Sequence, residues 1–441
     1  LKPISEAAGL PAGIRDPSHA LKAFGGTAAL PLLHGVGRWL FAAFIFFTCF
    51  TFLRPSPYDF AAIPAILLWF LLGIRLHRAV VPFVALLLAF NLSIVAALIP
   101  YLHEPDPAPW VIQSLYLMIT GVFFTMFFSD DAERRVESAL KAYLASCAFA
   151  AAAGIVAYFG DTGLLFTMDG RAAGVFEDPN VLGSFLILGV LYCLHGLLTG
   201  EARHPFLMLG LAALLLTGIF LSFSRGSWGA TIAGILTMVG LTLRTTSKPV
   251  RRRIYLITAT TFGIMVLLAA GLLSVDGISE RFEDRAQLTK DYDEGVTGRF
   301  GNQVRSIPML IERPEGFGPL RFRRVFGIEP HNSYIGGFAN GGWLGGIAFI
   351  GMVLATTFVG FRLCLVPSPY RRLAQVAWPA LFMFFLQAFQ IDIDHWRHIY
   401  LLLGMVWGLE AARVRWAKTQ WANAQRPDEG PLGFRDLATS F

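Results

Sequence analysis

A histidine, two arginines and two asparagines stand in short polar stretches that border long apolar runs of this chain. His331 and Asn332 lie in "EPHNSYIGGFANGGWLGG" (329–346), and Arg225 lies between Ser224 and Ser227 in "LSFSRGSWGA" (221–230). Arg299 is in "TGRF" (297–300), and Asn180 is in "GRAAGVFEDPNVLGSF" (170–185). A fifth stretch, "QIDIDHWRH" (390–398), holds Asp392 and Asp394. An imidazole titrates near pH 6.5, close to the operating pH, which is where general base catalysis works best. Arginine is permanently charged and presents a fork that fits phosphate oxygens. Two such forks beside a base suit attack by a hydroxyl on a substrate whose leaving group is anionic.

Each stretch also has a plainer reading. Asp178-Pro179-Asn180 is the pattern of a helix start. Arg225 can snorkel to headgroups, and the Trp and His of 390–398 suit a membrane interface. Against these stands the setting of His331. It follows Pro330 and precedes Gly337, Gly341 and Gly345, the small-xxx-small spacing that lets membrane helices approach closely. The imidazole is then mounted on a tightly docked element, as a catalytic group requires.

The elements that must position these residues are apolar. Of 441 residues, 55% are hydrophobic and 15% charged, against about 25% charged in soluble domains. A bilayer core of about 30 Å needs roughly 20 apolar residues per helix. Segments near 36–53, 60–74, 79–100, 109–128, 139–159, 180–198, 205–222, 227–243, 253–274, 334–361, 373–391 and 396–412 qualify. The reading is an all-α polytopic membrane protein with about twelve transmembrane helices. The runs are continuously apolar, which excludes a transmembrane barrel.

No cleavable signal peptide is expected, because the first thirty-odd residues are mixed and polar. The chain begins with Leu1, so its true start is expected to be trimmed. Cys49, Cys147, Cys193 and Cys364 lie in or beside apolar runs without zinc-type spacing, so neither a disulfide nor a structural metal is expected. The 39 Phe most simply face lipid, though some could line a lipid-chain groove.

Lys and Arg of short loops set orientation. They crowd one side: Arg38, then Arg75 and Arg78, Arg134 and Arg135, the Arg244–Arg253 cluster, Arg371 and Arg372, and the tail from Arg413. The opposite side holds Arg54, Arg171, Arg225 and Arg397. Both termini are therefore expected in the cytoplasm: segment 1–35, helices one to nine over 36–274, helices ten to twelve over 334–412, and tail 413–441. The large loop 275–333 then lies outside. Thr297 is expected to cap a helix through "GRFGNQVRSIPMLIER" that Pro308 kinks or breaks, and the tail from about 417 is expected to be mobile.

"FEDPN", then "FSRGS", then a long outer loop with "TGR" and "GFGPL", then "HNSYI" before a Gly-rich span, resembles the bacterial O-antigen ligase and polymerase superfamily, its ligase branch in particular. The resemblance covers roughly 170–400. It implies transfer of O-antigen polysaccharide from undecaprenyl pyrophosphate to the lipid A core at the periplasmic face of the inner membrane, with no nucleotide sugar, cofactor or metal. It implies His331 as the catalytic residue and Arg225 and Arg299 as the diphosphate holders. Asn180, Asn332 and one aspartate of "DID", Asp392 or Asp394, are supporting. Arg321, Arg323 and Arg324 could contact acceptor phosphates or lipid headgroups. Partners are then the lipid-linked donor, the lipid A core and membrane lipids, with no nucleic acid. A polymerase or a protein O-oligosaccharyltransferase shares the donor and differs in acceptor. A transporter would place ionisable residues at mid-membrane, where these spans have nearly none.

Overall fold

The computed structural model describes residues 29–53, 55–160, 167–286, 295 and 297–424. Arg54, most of the N-terminal segment, residues 161–166, part of the long loop (287–294 and 296) and the last 17 positions, with the expectations that fall on them, lie outside the described residues.

Helices occupy each of the twelve apolar segments. They are α1 (Ala29–Phe46), α2 (Pro57–Leu71), α3 (Val81–Leu98), α4 (Pro107–Ser129), α5 (Ala132–Gly160), α6 (Pro179–Thr199), α7 (Pro205–Leu221), α8 (Arg225–Thr245) and α9 (Lys248–Leu273). The segment after α9 forms α10 (Asp276–Ala286), α11 (Arg299–Ile311) and α12 (Phe322–Phe326), followed by α13 (Ser333–Leu365), α14 (Arg371–Gln387) and α15 (Arg397–Ala424). A two-stranded hairpin, β1 (Thr167–Met168) with β2 (Arg171–Ala172), joins α5 to α6. Among the described residues, eight helices are long and apolar enough to cross a membrane: α1, α3, α4, α5, α6, α8, α9 and α13. α2 and α7 are apolar but shorter.

Helix α6 is apolar on every side, and the bundle surrounds it. Its Leu182, Phe185, Leu188 and Leu191 are fully buried, as an all-round hydrophobic helix requires. α4 and α15 pack closely. A methyl added at Gly404 or Gly408 would meet Cβ of Phe124 at 2.3 Å or of Phe128 at 2.5 Å. Phe41, Phe44, Phe123, Phe124, Phe127 and Phe128 form one buried cluster, with the Phe41 and Phe127 rings 4.1 Å apart. Many phenylalanines therefore build the core instead of facing lipid.

Two local expectations are corrected. α11 is capped by Gly298, not Thr297, whose carbonyl instead accepts from Asn302 Nδ2 at 2.9 Å, and the helix passes through Pro308. α15 continues to Ala424, so the stretch from 417 to 424, expected to be mobile, is helical; Arg413 binds Glu410 at 2.8 Å and Arg415 binds Asp130 at 2.6 Å just before it.

The glycine-rich span also differs from one continuous helix. α13 breaks at Gly342, where φ is 64° and ψ −163°, a region essentially reserved for glycine. Its two halves then fold against each other. A methyl on Gly337 would lie 3.3 Å from the Cα of Gly346, nine residues on, which a straight helix would hold about 13.5 Å away. The turn "RPEGFGPL" satisfies the groups freed by the break: Trp343 N–H donates to Pro314 O at 2.8 Å, and Phe317 and Gly318 N–H donate to Ala339 O at 2.8 and 3.0 Å. Irregular backbone among apolar helices survives only with such partners. Gly342→Ala would add backbone strain of about 1–3 kcal/mol and drive a methyl to 2.2 Å from Pro314 O. A clearly lowered thermal unfolding temperature in detergent is expected.

Candidate active site

The site residues are held at one end of the bundle, where several helices begin. Asp178 caps α6, its Oδ1 accepting from Asn180 N–H at 2.7 Å, with Pro179 at the first helical position. Ser224 caps α8, accepting from Ser227 N–H at 3.3 Å, so Arg225 is the first residue of that helix. Ser227 Oγ reaches back to Asn180 O at 3.3 Å, locking the two helix starts together. Arg299 opens α11, its Nη1 lying 3.4 Å from Gln390 O. Asn332 caps α13 through Oδ1, which accepts from Tyr334 and Ile335 N–H at 3.0 and 3.1 Å.

His331 precedes that cap with φ at 43°, a left-handed conformation uncommon for a non-glycine residue. Gln303 of α11 fixes its neighbour by donating Nε2 to Pro330 O at 2.8 Å. The link from α14 to α15 fixes it from the other side. Asp392 Oδ1 accepts from Asn332 N–H at 3.0 Å, and Ser333 Oγ accepts from Ile393 N–H at 2.7 Å. Asp392 Oδ2 lies 3.6 Å from His331 Nδ1. Of the two aspartates in "DID", therefore, Asp392 is the one that faces the imidazole. Asp394 instead contacts His395 Nδ1 at 2.9 Å, and His395 stacks on Trp110.

A cavity of about 640 Å³ is lined by Asn180, Arg225, Arg299 and His331 together, from four separated stretches of sequence. Arg171 lines it as well, and the sequence reading gave that residue no role. It is buried, with Nε donating to Ser222 O at 2.8 Å and Nη2 to Asn180 Oδ1 at 2.9 Å. The lone base between two apolar runs was a visible signal, but the β1–β2 hairpin that turns it inward was not. First-turn residues of α6, α8 and α11 reach the cavity, so three helix N-termini add to the arginines' positive potential. Asn332 and Asp392 stand behind His331 and do not line the cavity.

Arg321, Arg323 and Arg324 are elsewhere. Arg321 pairs with Glu104, Arg323 with Asp106 at 2.8 Å, and Arg324 lies 3.9 Å from Glu104. They clasp α12 and the residue before it to the turn before α4.

The carboxyl of Asp392 is pushed up to about 8, although a third of its side chain remains exposed. Loss of water is the main cause, followed by repulsion from Asp394 and Glu329; hydrogen bonds from the Asn332 and His331 backbone oppose it. Below pH 8 the group facing His331 is therefore a neutral acid, and above pH 8 a carboxylate.

Residues 210–350 match the family model described as O-antigen ligase. This stretch is similar to that family. The family includes ligases, polymerases and oligosaccharyltransferases, and its proteins are membrane glycosyltransferases. The matched residues contain Arg225, Arg299, His331 and Asn332, while Arg171, Asn180 and Asp392 lie outside them. No curated protein matches the chain.

Proposed function

We propose that this protein is an O-antigen ligase. It takes O-antigen polysaccharide from undecaprenyl pyrophosphate and joins it to a hydroxyl of the lipid A core. In this reading the chain crosses the bacterial inner membrane twelve times with both termini in the cytoplasm, and the His331 cavity faces the periplasm. The supporting observation is that Arg225, Arg299 and His331 line one cavity although they are widely separated in sequence.

The chemistry follows from the side chains. Arg225 and Arg299 hold the diphosphate, whose charge grows as the bond from the anomeric carbon to the phosphate oxygen breaks. His331 takes the proton of the acceptor hydroxyl as its oxygen bonds to that carbon. The bonding pair leaves with undecaprenyl pyrophosphate, and the anomeric centre inverts. Asp392 holds the His331–Asn332 backbone and, when ionised, stabilises the imidazolium.

Purified protein given labelled lipid-linked polysaccharide should glycosylate lipid A core and leave an acceptor peptide unlabelled. Labelling of the peptide, or of the polysaccharide end alone, would replace the ligase with an oligosaccharyltransferase or a polymerase of the same family. Asp392→Asn keeps an acceptor for the Asn332 N–H but cannot ionise. Wild-type activity should rise through pH 8 as Asp392 gains its charge. The variant should lack that rise and, above pH 8, fall on the order of 10²-fold. A superimposable pH–rate profile would remove Asp392 from the mechanism.

A further inference from the structure

A second cavity, of about 530 Å³, lies at the other end of the bundle. It is bounded by α1, the end of α2, the end of α4 and the start of α5. The 29 residues of α5 separate it from the hairpin that carries Arg171, a helix length of about 43 Å. Its floor is aromatic: Phe41, Trp69 and Phe127. Arg135 is laid on that floor, its guanidinium carbon 4.8 Å from the Trp69 centroid and 4.6 Å from that of Phe127, with Nη1 donating to Phe127 O at 2.7 Å. The contact holds the cation in place without cancelling its charge.

Arg38 and Arg134 stand exposed at the rim, and among the described residues neither makes an ion pair. Against these three guanidinium groups the lining contains one carboxylate, Asp131. Outside the rim, α1 exposes Leu32, Val36 and Trp39. A cationic mouth above an aromatic floor, continuous with an apolar flank, matches a molecule that joins a phosphate to hydrocarbon. A free phosphate would leave the floor and flank in water, and the cationic headgroup of a zwitterionic lipid would meet three arginines.

We infer that this cavity binds an anionic phospholipid, its phosphate between Arg38, Arg134 and Arg135 and its chains along α1. The inference requires the membrane setting but not the transfer reaction. Full-length protein in detergent would be titrated with phosphatidylglycerol, phosphatidylcholine or inorganic phosphate and read by native mass spectrometry. Retention of phosphatidylglycerol over phosphatidylcholine is expected. Arg38→Gln with Arg134→Gln should weaken it about fivefold for each arginine lost, and lysine at both positions should restore most of it. Arg225→Ala should leave it unchanged, which separates this site from the glycosyl-transfer cavity. Unaltered phosphatidylglycerol affinity in the double glutamine variant, equal binding of phosphatidylcholine, or displacement by inorganic phosphate at matched concentration would each overturn the lipid site.

Discussion

His331→Ala should slow transfer to the acceptor by about 10²–10⁴-fold, the usual worth of a positioned general base, while the lipid-linked donor still binds. The separation is expected because main-chain groups and the side chains of neighbouring residues hold this segment. The cap of α13 belongs to Asn332, and the clasp to the α14–α15 link runs through the Asn332 backbone and Ser333. Residue 331 has positive φ, where alanine is less comfortable than histidine or asparagine. His331→Asn is therefore the companion variant: it suits the backbone and still lacks a base of matched pKa. Both should show single-turnover rates that recover in part with added imidazole. Full transfer in the asparagine variant, with its fold intact, would end the assignment of His331 as base.

The legible part of this protein was what the bilayer forces on a sequence. Apolar runs announce helices because no other local structure satisfies its own backbone in hydrocarbon, and helices stand at each of the twelve segments. Arg225, Arg299, His331 and Asn180 stood out as candidates because polar residues at the ends of such runs are costly to keep without a use, and all four line one cavity. Partners distant along the chain were not legible. The basic cluster at 321–324 advertised an anion site, yet its arginines meet Glu104 and Asp106, more than 200 positions earlier. Asp392 and Asp394 are equivalent by local pattern, and only the packing of the α14–α15 link against α13 decides which one faces the histidine. The glycine repeat correctly signalled close approach. That Gly337 approaches the same element, after a break at Gly342, depends on carbonyl and amide groups lent by the turn at 314–318.

Arg225→Ala should lower turnover by about 10²–10³-fold, the loss seen when one stabiliser of developing negative charge is removed. The position makes this a clean experiment. Arg225 is the first residue of α8, whose cap is made by Ser224 and whose docking to α6 runs through Ser227. Truncating the side chain therefore leaves the helix start in place. Lysine should restore only part of the rate, since it keeps the charge but loses the planar fork that grips two oxygens at once. The decisive comparison is with Arg299, which reaches the same cavity from α11. If both arginines close on one diphosphate, the second deletion removes support from a clamp already broken, and the double variant should fall well short of the product of the single losses. Strictly multiplicative losses would mean that the two guanidinium groups act on separate charges. In that case Arg171, which also lines the cavity and binds Asn180, becomes the candidate for the second arm of the clamp.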